Sequence, residues 1–571
     1  MAERKRPHII IINPDEMRWD TMGHMGNRAA HTPFLDSLAV HEAVSFDHAY
    51  CQNPVCVPSR CSFFTGLYPH TRGHRTMKYL LHEGETSLFQ QLRNAGYYVW
   101  LNGRNDLIAG QITGLENEHA DEIYYYDRTK EPQRVDPAVL GKMMGTKKEA
   151  ESAETAQAKE EAFVYDHYTG VVPDHTAGMD NDWDDTLAAI DRIRHPVDPQ
   201  KPLCLFLGWQ NPHPPYAVEK RFYDLIDEGQ IADEISTEHL QGKPYMLELY
   251  RKLANLEGKS REEWRQLRRV YLAQCAKVDA MFEAVCNALK EQGMYDDAAI
   301  FFLSDHGDFA GDYHMAEKSQ NTFEDVLTRV PLLIKPPKMK DADGKELYPC
   351  DPGIAGGVVE LVDFFATAMD YAGVEPTEDH FGRSLQPVVA DRSVRIREYA
   401  HCEGGRRPGE EQCDEWHSEP PVPGKDAYWA KKTAQLDDEA HVKGTMVTDG
   451  HFKFVQRLNG KHELYCLDQD PYEEKNLYET EEKDAEGMFT DPALRKVMER
   501  MRAELLRWYQ ETCDVVPRAY DSRFSEEWMW RFLRNIVPGE MEQTVREYIR
   551  KEHPDIRTAM QYVGGILVKQ K

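Results

Sequence analysis

Short β-rich apolar runs alternate with helical patterns through the first two-thirds of the chain, and most of these runs end where polar, reactive side chains begin. The runs lie at residues 8–13, 97–102, 203–208, 299–303 and 330–334. Alternation of this kind predicts a large, mostly parallel sheet flanked by helices, an α/β fold. Sites in such sheets form beyond the carboxyl ends of strands, so the residues that follow the first four runs are the first candidates for chemistry. Between the third and fourth runs, Leu267, Val270, Tyr271, Val278, Met281, Phe282, Val285 and Leu289 recur at three- and four-residue steps before Gly293. That spacing predicts a long amphipathic helix feeding the fourth strand.

At 571 residues the chain exceeds what a single hydrophobic core supports. Residues 1–394 are expected to form the large catalytic domain. Residues 395–513 carry shorter runs, with Asn459-Gly460 between two of them, and predict a small antiparallel subdomain with a hairpin. Residues 514–571 read as a helical extension. Its Trp528, Trp530, Phe532 and Leu533 are expected to pack, on this chain or on a partner subunit in a homo-oligomer. The Lys-, Glu- and Ala-rich stretch 146–161 reads as a solvated helix or mobile insertion.

The formal charge of -29 repels polyanions, which argues against nucleic acid or an anionic membrane as partner. An anionic substrate must then meet a local cluster of cations, and a small one is favoured over a long polymer. Eleven cysteines without paired spacing fit reduced thiols better than a disulfide framework or a zinc ribbon. The aliphatic run 9–12 is too short for a signal-peptide core or a membrane span, so a cytoplasmic protein is expected.

The most informative stretch is Cys56-Val57-Pro58-Ser59-Arg60, followed by Thr65-Gly66-Leu67-Tyr68-Pro69. Pro58 is suited to open a helix whose free N–H groups face an anion beside residue 56, and a bare thiol there is expected to be activated. A lone Cys-x-Pro is ordinarily a buried cysteine before a helix. Here the full run resembles the type I, formylglycine-dependent sulfatases of the alkaline-phosphatase-like superfamily.

That resemblance implies that a formylglycine-generating or sulfatase-maturing enzyme oxidises Cys56 to formylglycine, whose hydrate attacks the sulfur of a sulfate ester. Arg60 matches the arginine that holds the hydrate. Asp15 and Glu16 after the first strand, and Asp305 and His306 within Ser304-Asp305-His306-Gly307-Asp308, correspond to the family's metal ligands, with Glu16 where a second Asp is more frequent. An oxygen-rich set suits calcium, while a His nitrogen also suits manganese or magnesium. Standing alone, an acid after a strand is more often a helix cap than a ligand; two pairs on separate strand ends shift that balance. His213 and Lys318 match an active-site histidine and the lysine that touches the sulfate.

Where many sulfatases carry Gly-Lys-x-His, this chain reads Gly103-Arg104-Asn105-Asp106. Arg104 supplies a cation to the sulfate group or clamps a substrate carboxylate, and Asp106 becomes a candidate for selecting the alcohol part of the substrate. Further matches at Phe381-Gly382-Arg383-Ser384-Leu385, Glu463-Leu464-Tyr465 and Asp470-Pro471 extend the resemblance to about residue 510; residues 110–182 carry none. The expected reaction is hydrolysis of a small organic sulfate monoester, such as a sulfated sugar. Hydrolysis of a phosphonate monoester or phosphodiester, and a sulfatase-like binding protein without activity, are the alternatives.

Overall fold

The computed structural model describes residues 6–125, 167–172, 181–414, 428–518 and 523–569; the expected insertion at 146–161 lies outside them. The described strands are β1 (His8–Asp15), β2 (Val44–Tyr50), β3 (Tyr98–Asn102), β4 (Glu122–Tyr124), β5 (Tyr168–Val172), β6 (Leu203–Pro212), β7 (Tyr216–Glu219), β8 (Ala298–Leu303), β9 (Leu332–Lys335), β10 (Gly353–Glu360), β11 (Ala400–Gly404), β12 (Gly444–Thr448), β13 (Phe452–Arg457) and β14 (Glu463–Cys466). The helices that matter for the site are α1 (Cys56–Thr65), α2 (Asn181–Arg194), α3 (Arg261–Glu291) and α4 (Trp429–Ala434); α5 (Glu526–Leu533), α6 (Glu542–Glu552) and α7 (Ile556–Lys569) lie near the end of the chain.

Eight strands form one sheet in the order β10-β2-β9-β8-β1-β6-β3-β4. All neighbours run parallel except β9, which is antiparallel to β2 and β8. The four isoleucines of β1 explain its central place. Ile9 and Ile11 enter one core cluster and Ile10 and Ile12 the other, as a strand covered on both faces requires. The long helix is α3, opened by a capping box between Ser260 and Glu263. Its apolar stripe lies under the sheet in the same cluster as Ile10 and Ile12.

The second sheet is antiparallel, in the order β11-β12-β13-β14, and Asn459-Gly460 falls in the loop joining β13 to β14. The chain divides into two compact units, residues 1–376 with 380–514, and residues 377–379 with 515–571. Both of these sheets, and the two-stranded pair β5-β7, belong to the first. In the second, Met529, Trp530 and Leu533 of α5 pack with Val545, Ile549, Ala559 and Val563 of α6 and α7. Trp528 stacks on Phe524 and Phe532, with ring centroids 4.0 and 5.9 Å apart, yet Trp528 and Phe532 remain 41% and 48% exposed within this chain. They are four residues apart, hence on one helix face, and that face points away from the buried Met529–Leu533 stripe. Among the described residues no helix is long and apolar enough to cross a membrane.

Candidate active site

The site lies where β1 and β8 end side by side. Ser304, the first residue after β8, joins the two strand ends: its hydroxyl accepts from the Met17 N–H at 2.8 Å and lies 2.8 Å from the Pro14 carbonyl. The chain then turns at Glu16, whose φ of 70° is left-handed. Asp15 and Asp305 are brought together in consequence, with the Glu16 N–H donating to Asp305 Oδ1 at 3.2 Å. Gly307 permits the close packing behind His306, because a Cβ there would stand 2.0 Å from the Val326 carbonyl oxygen.

Helix α1 supplies the third component. It begins at Cys56, after an extended Val55, so Pro58 stands inside the first turn where its missing N–H costs nothing. Cys56 and Val57 therefore keep backbone N–H groups free of the helical ladder. Ser59 Oγ donates to the Asp305 carbonyl at 2.7 Å and fixes the helix to the β8 end. Every residue of α1 is buried.

Cys56 Sγ lies 3.5 Å from Asp15 Oδ1 and 3.2 Å from His306 Nε2. Arg60 sits behind them, fully buried, and donates through Nε to Asp305 Oδ2 at 2.8 Å, through Nη2 to Asp15 Oδ2 at 3.0 Å and through Nη1 to the Arg104 carbonyl at 2.8 Å. Arg104 Nη2 donates to the same Asp15 oxygen at 2.6 Å. Burial opposes ionisation of Asp15, but the cations around it, Arg104 first, hold the carboxyl well below the usual range. Burial keeps His306 below its ordinary value and hence neutral. Its Nδ1 is 3.0 Å from the Gly307 carbonyl, which only accepts, so Nδ1 carries the hydrogen and the Nε2 lone pair faces Cys56.

Asp15, Asp305, His306 and residue 56 thus present their donor atoms within 4.8 Å of one another. Carboxylate oxygens plus a neutral imidazole oriented by a backbone carbonyl suit a divalent cation. The expected activation of a bare thiol is not found. Burial, and after it Asp15, pushes the Cys56 thiol well above its ordinary range against the opposing charge of Lys318.

A second group adjoins the first. Lys318 Nζ donates to Glu16 Oε2 at 2.6 Å, and His213 Nε2 is 3.6 Å from that same oxygen. Burial opposes the charge on Lys318, but the surrounding anions outweigh it and keep the ammonium charged. Glu16 is therefore grouped with Asp15 and His213 beside a resident ammonium, and its Oε1 is buried without a hydrogen-bond partner. His213 Nδ1 lies 2.5 Å from the Pro214 carbonyl, which commits its hydrogen and leaves a lone pair at Nε2. Asp106 sits with φ 47°, 3.5 Å from Arg60 Nη1, its side chain 34% exposed.

Residues that the sequence did not single out complete this side. Glu317, at φ 63° and fully buried, pairs with His167 Nε2 at 3.3 Å and Lys431 Nζ at 3.6 Å, and the His167 ring lies 4.8 Å from that of Tyr428. Burial opposes its ionisation, yet His167, Lys431 and Lys318 hold it down to about 2. Glu317 had a signal in its adjacency to Lys318; His167, Tyr428 and Lys431 had none.

The sequence profile of the family described as Sulfatase matches residues 7–374. Arylsulfatase K of Danio rerio is 26% identical over 415 residues, covering 69% of this chain and 70% of that protein. Choline-sulfatase of Rhizobium meliloti is 26% identical over 557 residues, covering 93% and 92%. Among solved structures, the phosphonate monoester hydrolase of Silicibacter pomeroyi superposes with a TM-score of 0.62 at 20% identity, covering 90% of this chain and 96% of that one, a likeness of fold.

Proposed function

The chain belongs to the sulfatase family, and we propose that it hydrolyses a small organic sulfate monoester at residue 56, held between Asp15 and His306. The observation that carries the reading is this placement of Cys56 at the start of α1, against two acids, a neutral imidazole and the buried Arg60. Asp15, Asp305 and His306, with Glu16 beside Asp15, would hold a divalent cation, calcium or else manganese or magnesium, which would supply Lewis acidity and offset the charge of the sulfate. Formylglycine at position 56 supplies a geminal diol, one hydroxyl for attack on sulfur and the other for release of sulfate.

The remaining chemistry falls to this chain's own side chains. Arg60 keeps the two aspartates apart and oriented. Lys318, held charged beside Glu16, donates to the oxygen of the departing alcohol. His213 has its Nδ1 hydrogen committed to Pro214, so its Nε2 takes a proton, the one released when sulfate leaves. Arg104 stands on the sulfate side through Asp15, and the more exposed Asp106 faces the alcohol part.

The net charge of -29 supports a small substrate, and the relative matched along nearly the whole chain is named for the ester of a small alcohol, choline. Retention of Cys56, Arg60, Asp15, Asp305, His306, His213 and Lys318 speaks against a binding protein without activity, and only Asp106 speaks for it. Intact-mass analysis for the thiol-to-aldehyde change, metal analysis, and parallel turnover of aryl sulfate and aryl phosphonate form the test. Faster phosphonate turnover, or turnover with unmodified Cys56, overturns the reading.

A further inference from the structure

We propose that Asp182, on a helix outside the site, is the positioning residue that sets His213. Asp182 is the second residue of α2 and is 2% exposed. Its carboxylate accepts from the Gln210 N–H at 2.8 Å, the Asn211 N–H at 2.7 Å and Asn211 Nδ2 at 2.6 Å. These residues lie near the end of β6, whose last residue, Pro212, directly precedes His213. The next turn of α2 grips the same strand end, as Thr186 Oγ1 accepts from Trp209 Nε1 at 3.0 Å. From the other side, Gln274 Nε2 of α3 donates to Asn211 Oδ1 at 3.1 Å and to the Pro215 carbonyl at 3.3 Å. His213 itself donates its N–H to the Asp15 carbonyl at 3.1 Å and the Gln210 carbonyl at 2.7 Å. The imidazole is thus carried by a strand end on which the Asp182 carboxylate alone takes two successive peptide N–H groups.

All three groups facing Asp182 are donors, and a carboxylate is the side chain that only accepts. Asp182→Asn turns an NH2 against them and releases the strand end, while its charge change lies on a different element from the reacting atoms. Displacement of a catalytic group by about 1 Å costs on the order of 100-fold in rate. The loss belongs to the chemical step, so kcat falls while KM stays within about twofold.

The activity readout rests on the sulfatase reading, and amide exchange does not. In a double-mutant cycle on the full chain, Asp182→Asn is expected to lower kcat about 10- to 100-fold, and to lower it no further once His213→Ala is present. Asn211→Ala, which removes one of the three bonds to Asp182 together with the bond from Gln274, gives a smaller loss with the same non-additivity and serves if Asp182→Asn does not fold, with Gln274→Ala as the control for the second bond. Exchange of the Gln210 and Asn211 amides is expected to quicken in Asp182→Asn. Full-size loss in the His213→Ala background, or unchanged exchange, overturns the proposal. Faster exchange in a protein that turns over no sulfate ester removes the substrate reading and leaves the clamp standing.

Discussion

The two halves of the site are built differently. On the residue 56 side, Asp15, Asp305, His306 and Arg60 come from two strand ends and one helix start, and Arg60 answers both aspartates. On the Lys318 side, Glu16 and Glu317 are turned through left-handed backbone, one Glu16 oxygen has no hydrogen-bond partner, and the partners of Glu317 come from the residue before β5 and from α4. Strand ends and a helix start fix the first half, whereas residues just past a strand end or in loops, at left-handed φ, shape the second.

The largest effect expected from this contrast is at Cys56. Cys56→Ala should abolish sulfate release and leave thermal unfolding nearly unchanged, whereas Cys56→Ser should retain at most a trace and trap a sulfated serine visible by mass. Wild-type turnover in the alanine variant would dissolve the distinction between the halves.

Asp305→Ala comes next. Metal stoichiometry and activity should fall together, and stability should fall by about 3–5 kcal/mol because Arg60 Nε is left buried and unpaired. Unchanged metal content in the purified variant would place the cation elsewhere.

On the looser side the effects should shrink. Glu317→Gln removes the anion shared by His167 and Lys431 without touching the proposed ligands, so metal content should hold while kcat/KM drops about tenfold, roughly 1.4 kcal/mol of transition-state stabilisation. Loss of metal in this variant would show that the halves are one unit.

The smallest and most selective effects belong to Arg104 and Asp106. Arg104→Lys should keep a substantial part of the activity on all substrates if the residue serves the sulfate group, and lose it mainly on acidic substrates if it clamps a carboxylate. Asp106→Asn should spare aryl sulfates, whose leaving groups need little help, and impair a sugar or choline-like sulfate. Equal losses in kcat/KM would assign Asp106 to holding Arg60.

Much of the first half is legible in the sequence because strand ends are. Ile9–Ile12 can only be a covered strand, and Asp15 follows it within three residues. The runs that became β2 and β10 escape notice for local reasons: Asp47 and His48 interrupt one, and Gly353, Gly356 and Gly357 dilute the other. Glu16 shows the limit within the site. Its neighbour Asp15 and its place after β1 suggest a ligand, and the sequence does not reveal that its carboxylate also meets Lys318, 302 residues away, and stands with His213 and Asp15. His167 and Lys431 reach Glu317 only through tertiary folding, and no spacing encodes that. Trp528 and Phe532 teach a related lesson: apolar content predicts burial, but helix phase decides which residues receive it.

The complete burial of α1 carries a consequence in time. An enzyme that edits residue 56 must take that stretch into its own cleft, and once the sheet has closed Cys56 and Arg60 are only 3% and 0% exposed. Closure needs His306, which is 250 residues further along the chain. At a synthesis rate of about 5–20 residues per second, the ribosome leaves roughly 12 to 50 s between the appearance of the two. On the proposed conversion of Cys56, the order of the site's residues along the chain gives a delay in which an editing enzyme would meet Cys56 before His306 closes over it, and a slow supply of that enzyme would leave folded chains with the thiol.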